Sequence, residues 1–575
     1  MASTTTLRSR RSAAQLHALA GVERQIRAND PNGRRKYLLD FTEAYRSYDS
    51  VLDSSSLPEL VSSADILLVA DYHALPASQR FAASLIGQLA KSGSRPIVLG
   101  LETIFSRDQH IVDEWLRKEI GDHELRERLR FDLDWGYDWE PFSDLLESAR
   151  SQGSPIYGLD CMPREDLRKI GARDRHAAAK ITEIRQEHPS AQIVVVFGES
   201  HLAPNHLPQL LRHRLPSERV VTILQNVDAL YWRAAGESRD RVDAVQVSED
   251  VVCVFTATPL EKYENYRLCL DRWSREGGDS PDLRPTIYNL IYGLLRFLGI
   301  NLYSPHNTTQ PRFLVDSLPE VHSRNAESTL RKLLSRQGAS KQEKREQLAR
   351  LEEWGSTYLA STNTFYIREF QMMHAAEDAA RFLHHACRGL PQRRAGAAHA
   401  QPKRSERIPA SEILDQTRDI FYCRVLENAF AYFGSRVLCP ARPAAREAEL
   451  YELYDLTHED VQQQTSFDFP EFIGMIDFLA LHRGYELNPR RYPEPPQSIV
   501  EGLQFTDAKF DYVTRQLGYM LGSDLYDAYL DGLVTRRFLK KLFLLHIESP
   551  GAAPRAYFAI VRKVRPAKKR TRATN

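Results

Sequence analysis

Four ionisable groups close four short apolar runs: His73 ends VADYH, Glu102 ends VLGLE, Asp160 ends YGLD and His201 ends FGESH. Two of these endings share an acid-x-His spacing, Asp71-Tyr72-His73 and Glu199-Ser200-His201. Two neutral imidazoles with one or two carboxylates hold Zn, Mn or Fe(II) and leave a position for water or ligand, which makes His73, Glu102, Asp160 and His201 a candidate metal set. Without a metal, a histidine of the same set acts as a general base oriented by a neighbouring carboxylate. The plain alternative is that these are turn residues or helix N-caps, because Asp, Ser and Glu often begin helices.

Whether the four groups meet depends on the elements that carry them. From 65 to 258, apolar runs alternate with stretches of helical period, the pattern of βαβ units and a parallel sheet. The runs are DILLVA (65–70), PIVLGLE (96–102), PIYGLD (155–160), QIVVVFG (192–198), VVTILQN (220–226) and VVCVFTA (251–257). Parallel strands put all their carboxyl ends on one edge, and ligands of open α/β sheets sit in the crevice beyond that edge. Beyond 258 the β-branched runs thin out, and NLIYGLLRFLGI, the 328–354 segment, TFYIREFQMMHAAEDAARFLHHACRG and the 411–438 segment all have helical spacing. The expected class is therefore α/β, a parallel sheet flanked by helices, followed by a mainly α-helical region. The expected divisions are an N-terminal extension (1–60), the α/β domain (61–258), a helical region (259–388), a Pro/Gly/Arg-rich linker or mobile loop (389–407), a helical domain (408–560) and a basic tail (561–575).

Composition narrows the classes. With 77 basic against 76 acidic residues, no global charge calls for nucleic acid or a membrane surface. The six cysteines form no C-x-x-C pair, which fits a reducing, cytoplasmic setting better than a disulfide scaffold. No segment has the apolar length of a membrane span, and the first residues lack the apolar core of a signal peptide. In the helical half, His374, Glu377 and Asp378, with Glu369 before and His385 after, have the three- and four-residue spacing of di-iron ligands, but no matching E-x-x-H pair stands on another helix. A buried polar network is the competing explanation, and KQEKREQLARLEEW (341–354) has the composition of a solvated, ion-paired helix.

In order along the chain, these residues resemble the ChaN-like domain of the haem-binding uptake and Tiki superfamily, a group with TraB-like and erythromycin-esterase-like relatives. The first G-E-x-H motif looks like Ala70-Asp71-Tyr72-His73, the acid after the second strand is Glu102, and Gln109 follows in the next helix. The aromatic stretch DWGYDWEPFSDLLESAR, the pair Arg173-Asp174, and Gly198 to His201 with Pro208 behind it complete the likeness over residues 60 to 235. Alanine at 70 in place of the pattern's glycine is tolerable if that glycine serves packing, and forces a rearrangement if its φ is positive.

The resemblance implies two activities. ChaN-like proteins are associated with haem or iron, so a haem or a divalent metal (Fe, Mn or Zn) is the implied cofactor and haem, iron or a small molecule the implied partner. Tyr72, Trp135 and Tyr137 would then line a pocket for a flat ligand. Tiki-like and esterase-like relatives are hydrolases, the former metal-dependent, which implies metal-assisted hydrolysis of an ester or amide with His73 and His201 as ligands or bases, Glu102 activating water and Arg173 steadying negative charge. A third reading makes the site a relict and the chain an interaction protein. No cysteine precedes Cys161, which argues against a lipid anchor of the ChaN type; self-association is left open.

Overall fold

The computed structural model describes residues 4–29, 36–52, 56–93, 95–162, 170–238, 242–274, 281–301, 318–323, 325–338, 341–388, 410–465, 467–487, 508–547 and 549–565. The Pro/Gly/Arg-rich segment 389–407 and residues 566–575 of the basic tail lie outside them. The chain divides into two compact units, Leu19–Pro281 and Met1–Ala18 with Asp282–Asn575.

The chain enters through α1 (Thr4–Asn29), α2 (Lys36–Ala44), β1 (Ser50–Val51) and α3 (Ser56–Ser63). The sheet and its helices follow as β2 (Ile66–Asp71), α4 (Pro76–Ser92), β3 (Ile97–Phe105), α5 (Gln109–Leu116), α6 (Asp122–Arg128), α7 (Phe131–Asp134) and α8 (Glu140–Ser151). Then come β4 (Ile156–Asp160), α9 (Ile170–Glu187), β5 (Gln192–Gly198), α10 (Leu207–Arg214) and β6 (Val220–Gln225). The unit closes with α11 (Asp228–Glu237), β7 (Ala244–Ser248), β8 (Val251–Val254) and α12 (Pro259–Trp273).

The eight strands lie in the order β1-β7-β8-β6-β2-β5-β3-β4. Those from β8 to β4 run parallel; β7 and β1 pair antiparallel at the other edge, where the sequence pattern shows no strand. The expected α/β class with a largely parallel sheet is therefore the observed one. Every residue of β2, β3, β5 and β6 is buried, because helices cover both faces of the sheet. Alternation within a strand assigns the faces: Ile66, Leu68 and Ala70 pack with Phe41 and Ile181, whereas Leu67 and Val69 pack with Leu85 and Ile86. α4 ends at Gly93 with φ +63°, a left-handed cap that costs glycine little.

β2, β5, β3 and β4 are consecutive neighbours, so the strands carrying His73, His201, Glu102 and Asp160 form one half of the sheet. Ala70 is a regular β2 residue paired with Phe197, and its φ is not positive, so alanine fits here without rearrangement.

The second unit is mainly helical, including α13 (Arg284–Leu298), α14 (Ala326–Arg336), α15 (Lys341–Trp354), α16 (Met372–Arg388) and α17 (Ala410–Leu438). One expectation is corrected: TFYI, read as part of a helix, is a strand (Thr364–Ile367) in a three-stranded sheet with Ser356–Leu359 and Glu320–His322. Its β-branched and aromatic content decides the matter over four residues, too few for helical period to register.

Candidate active site at the carboxyl edge of the sheet

His73 leaves the end of β2 and turns its Nδ1 back onto Asp71 Oδ2 at 2.7 Å. The other Asp71 oxygen accepts from the Gln79 amide on α4. That anchoring directs His73 Nε2 towards Glu102 Oε2, 3.5 Å away. His201 repeats the arrangement from the end of β5: its Nδ1 meets Asp174 Oδ1 on α9, and its Nε2 lies 3.7 Å from Glu102 Oε1. Two carboxylate-anchored imidazoles thus face the two oxygens of one carboxylate.

Glu102 is held from the remaining sides. The Gly198 N–H donates to its Oε2 at 2.5 Å, and Arg173 donates to its Oε1 at 2.6 Å. Arg173 also binds Asp160 through two bonds of 2.7 and 2.8 Å, the bidentate fork that suits a guanidinium to a carboxylate. Gly198 is required at the centre, because a Cβ there would stand 2.9 Å from Glu102 Oε2 and 3.3 Å from His73 Nε2. Tyr37 on α2 donates to Asp174 at 2.9 Å and packs edge-on against His201.

The electrostatics follow from this packing. Burial alone disfavours the imidazolium of His73, but Asp71 and Glu102 outweigh it and push the pKa up to about 9. Burial would raise the Glu102 pKa, whereas His201, His73 and Arg173 hold it well below the ordinary carboxylate range. Exposure separates the two imidazoles: the His73 side chain is 13% exposed and that of His201 4%. His73 stands at the mouth and His201 behind Glu102.

The sequence-selected residues are therefore placed as follows. His73, Glu102, Arg173 and His201 come together, and Asp160 joins them through Arg173. Trp135 and Tyr137 flank His73 with ring centroids 5.2 and 5.4 Å away. Tyr72 points elsewhere, its ring lying 4.4 Å from Lys262 Nζ, and Lys262 pairs with Glu199 at 3.0 Å. The metal set fares differently. Among the described residues no group of three or more His, Cys, Asp or Glu side chains is arranged to hold a metal ion. Between the carboxylates of Glu102 and Asp160 it is the Arg173 guanidinium that supplies the positive charge.

Sequence reasoning named Asp174 only beside Arg173 in the family likeness and Glu199 only by its spacing to His201, without a role for either, and it missed Gln79, Tyr37 and Lys262 as parts of this edge. Asp174 was within reach, since Arg173-Asp174 puts two charges side by side on a helix that must bury one face. No local signal marks Tyr37, which comes from the stretch read as an extension. Gln109 is structural: its amide donates to Ile156 O and accepts from Gly158 N, tying down the edge strand β4.

The di-iron spacing on α16 is a salt-bridge network. Glu377 meets Arg442 at 2.8 Å, Arg381 at 3.2 Å and Arg350 at 3.7 Å, and accepts from Tyr519 at 2.9 Å. His385 binds Glu427 at 2.5 Å, and His374 stacks on Trp354. α15 is accordingly more than a solvated helix, because Leu351 is buried and Arg350 turns towards Glu377 and Asp378.

Comparison with known proteins finds a likeness over part of this chain. Residues 57–186 match the family model described as haem-binding uptake, Tiki superfamily, ChaN. The match takes in His73, Glu102, Asp160, Arg173 and Asp174 and stops before Gly198 and His201. Among solved structures, the chain is similar to one described as cofacial heme binding to ChaN of Campylobacter jejuni, with 14% identity, a TM-score of 0.26 and 35% of this chain and 91% of that one covered. It is also similar to the type III effector HopBA1, with 15% identity, a TM-score of 0.28 and coverages of 36% and 96%. No curated protein matches the chain. Among the described residues no helix is long and apolar enough to cross a membrane.

Proposed function

We propose that residues 57–186, a domain of the haem-binding uptake, Tiki superfamily, ChaN family, form with β5 and His201 a histidine-dependent hydrolytic site for ester or amide bonds. The observation that carries this reading is the pair of imidazole Nε2 atoms facing the two oxygens of one buried carboxylate, at 3.5 and 3.7 Å. With its pKa near 9, His73 is an imidazolium at neutral pH and stands where the cluster meets solvent. It gives its Nε2 proton to the departing heteroatom as the acyl bond breaks, and the His73–Glu102 pair regains one proton from the attacking water. The cluster carries the same charge before and after turnover. Arg173 and the Gly198 N–H keep Glu102 in place, and Asp71 keeps the His73 ring turned towards it.

The test is turnover of nitrophenyl esters and anilides by the full chain. His73→Ala should lower kcat/KM by about 100-fold or more. A variant as active as the parent, or a parent with no turnover on any member of the panel, overturns the assignment.

A second reading is favoured by the family description itself, which names haem. The residues suit that group at one position: His73 has Nδ1 anchored by a carboxylate, as metal-ligating histidines do, and Trp135 and Tyr137 beside its ring. His73, Trp135 and Tyr137 would hold the group, and bound haem would supply redox or ligand-carrying chemistry. A haem titration followed by Soret absorbance decides it: a shift lost in His73→Ala supports binding, and no shift in the parent removes it.

A further inference from the structure

A series of aromatic rings leads from His73 to α12, which lies outside the residues matched to the family. α12 begins at Pro259 behind a Thr258 cap whose hydroxyl accepts from the Glu261 N–H at 3.2 Å, which fixes the helix at the same edge of the sheet. Lys262, Tyr266 and Trp273 then fall at steps of four and seven, a single helical stripe. Lys262 is tied to Glu199 beneath, so the stripe is anchored at its inner end.

From there the rings run outward in an unbroken series. Tyr72 meets Tyr266 at 6.2 Å, Tyr266 meets Trp273 at 6.4 Å, Trp273 meets Tyr137 at 5.4 Å, and Tyr137 meets His73 at 5.4 Å. The outer end is fastened too: Trp273 Nε1 donates to Gly136 O at 2.8 Å. Gly136 has φ +69°, and a Cβ there would stand 2.7 Å from Trp273 Nε1, so this glycine is what admits the indole. Trp273 nevertheless remains 44% exposed, an indole pinned by its edge and separated from His73 by the ring of Tyr137. A tryptophan that only filled the core would be covered.

We infer that Tyr266 and Trp273 of α12 are specificity-determining residues, and that the hydrolytic site accepts substrates with a flat aromatic ring next to the scissile bond. The ring lies against Tyr137 and Trp273, where aromatic pairs gain beyond their area burial. This rests on the hydrolytic reading of His73, and the test keeps the two apart.

The ratio of kcat/KM for phenyl acetate to that for ethyl acetate is measured in the parent, Trp273→Ala, Trp273→Phe and Tyr266→Leu, so that intrinsic ester reactivity cancels. Benzamide and acetamide binding is followed in parallel by saturation-transfer NMR. Trp273→Ala should lower the ratio about 10-fold and weaken benzamide binding to match, with Trp273→Phe restoring most of both. Tyr266→Leu should lower the ratio by a smaller factor, and it carries the test if the alanine variant does not fold. A ratio unchanged in both Trp273→Ala and Tyr266→Leu, or equal binding of benzamide and acetamide to the parent, overturns the specificity role. Loss of turnover in His73→Ala beside an unchanged ratio sinks that role alone; aromatic-selective binding without turnover sinks the hydrolytic reading alone.

Discussion

Both units bury a carboxylate among cations, and they differ in which cation surrounds it. Glu102 faces two imidazoles and one guanidinium; Glu377 faces three guanidiniums and a tyrosine hydroxyl. A guanidinium keeps its proton in proteins, so the helical cluster holds one charge state across the physiological range. Imidazoles exchange theirs, so the sheet-edge cluster can pass a proton to something at its mouth. Buried charge alone therefore does not mark a reactive site. The sheet-edge cluster adds an exchangeable cation with partial access to solvent.

Removing the helical carboxylate gives the largest expected effect. Glu377→Ala strips Arg442 of its carboxylate and leaves Arg350 and Arg381 to Asp378 and Glu427, and should cost about 3–5 kcal/mol in urea denaturation. A cost below about 1 kcal/mol would mean that the guanidiniums find water and that the cluster is no structural knot.

The two clusters should also fail at opposite ends of the pH scale. The His73 pKa is raised, so its contribution is complete below its unfolded value of 6.5 and is lost as pH rises through about 9, worth up to about 3 kcal/mol. Burial raises the Glu377 pKa, but Arg442, Arg381 and Arg350 bring it down to about 2. Its contribution is present above 4.5 and is lost as pH falls towards 2. Hydrogen exchange read peptide by peptide should show the β2 and β5 ends loosening on the alkaline side and α16 on the acid side. Both regions loosening together at one extreme would erase the distinction.

The sequence disclosed the sheet edge well because its evidence is local. A strand buried on both faces must be a continuous apolar run, so its end is visible, and parallel topology then gathers the ends of β2, β5, β3 and β4. What the ends do to each other was less legible. That Arg173 takes both oxygens of Asp160 depends on how α9 lies against the sheet, and no spacing in the chain encodes it. Trp273 was invisible for the same reason, since its relation to Tyr137 spans 136 residues and passes through the backbone of Gly136. The antiparallel strands β1 and β7 escaped because two and five residues of mixed character carry no clear period.

The central claim is that Asp71 and Glu102 keep a proton on His73. NMR titration of histidine-labelled full chain, with the His73 resonance assigned by its loss in His73→Gln, tests it directly. A midpoint near 9 that falls in Asp71→Asn is expected; a midpoint at the ordinary 6.5, unmoved by that substitution, would show that the two carboxylates do not hold the proton.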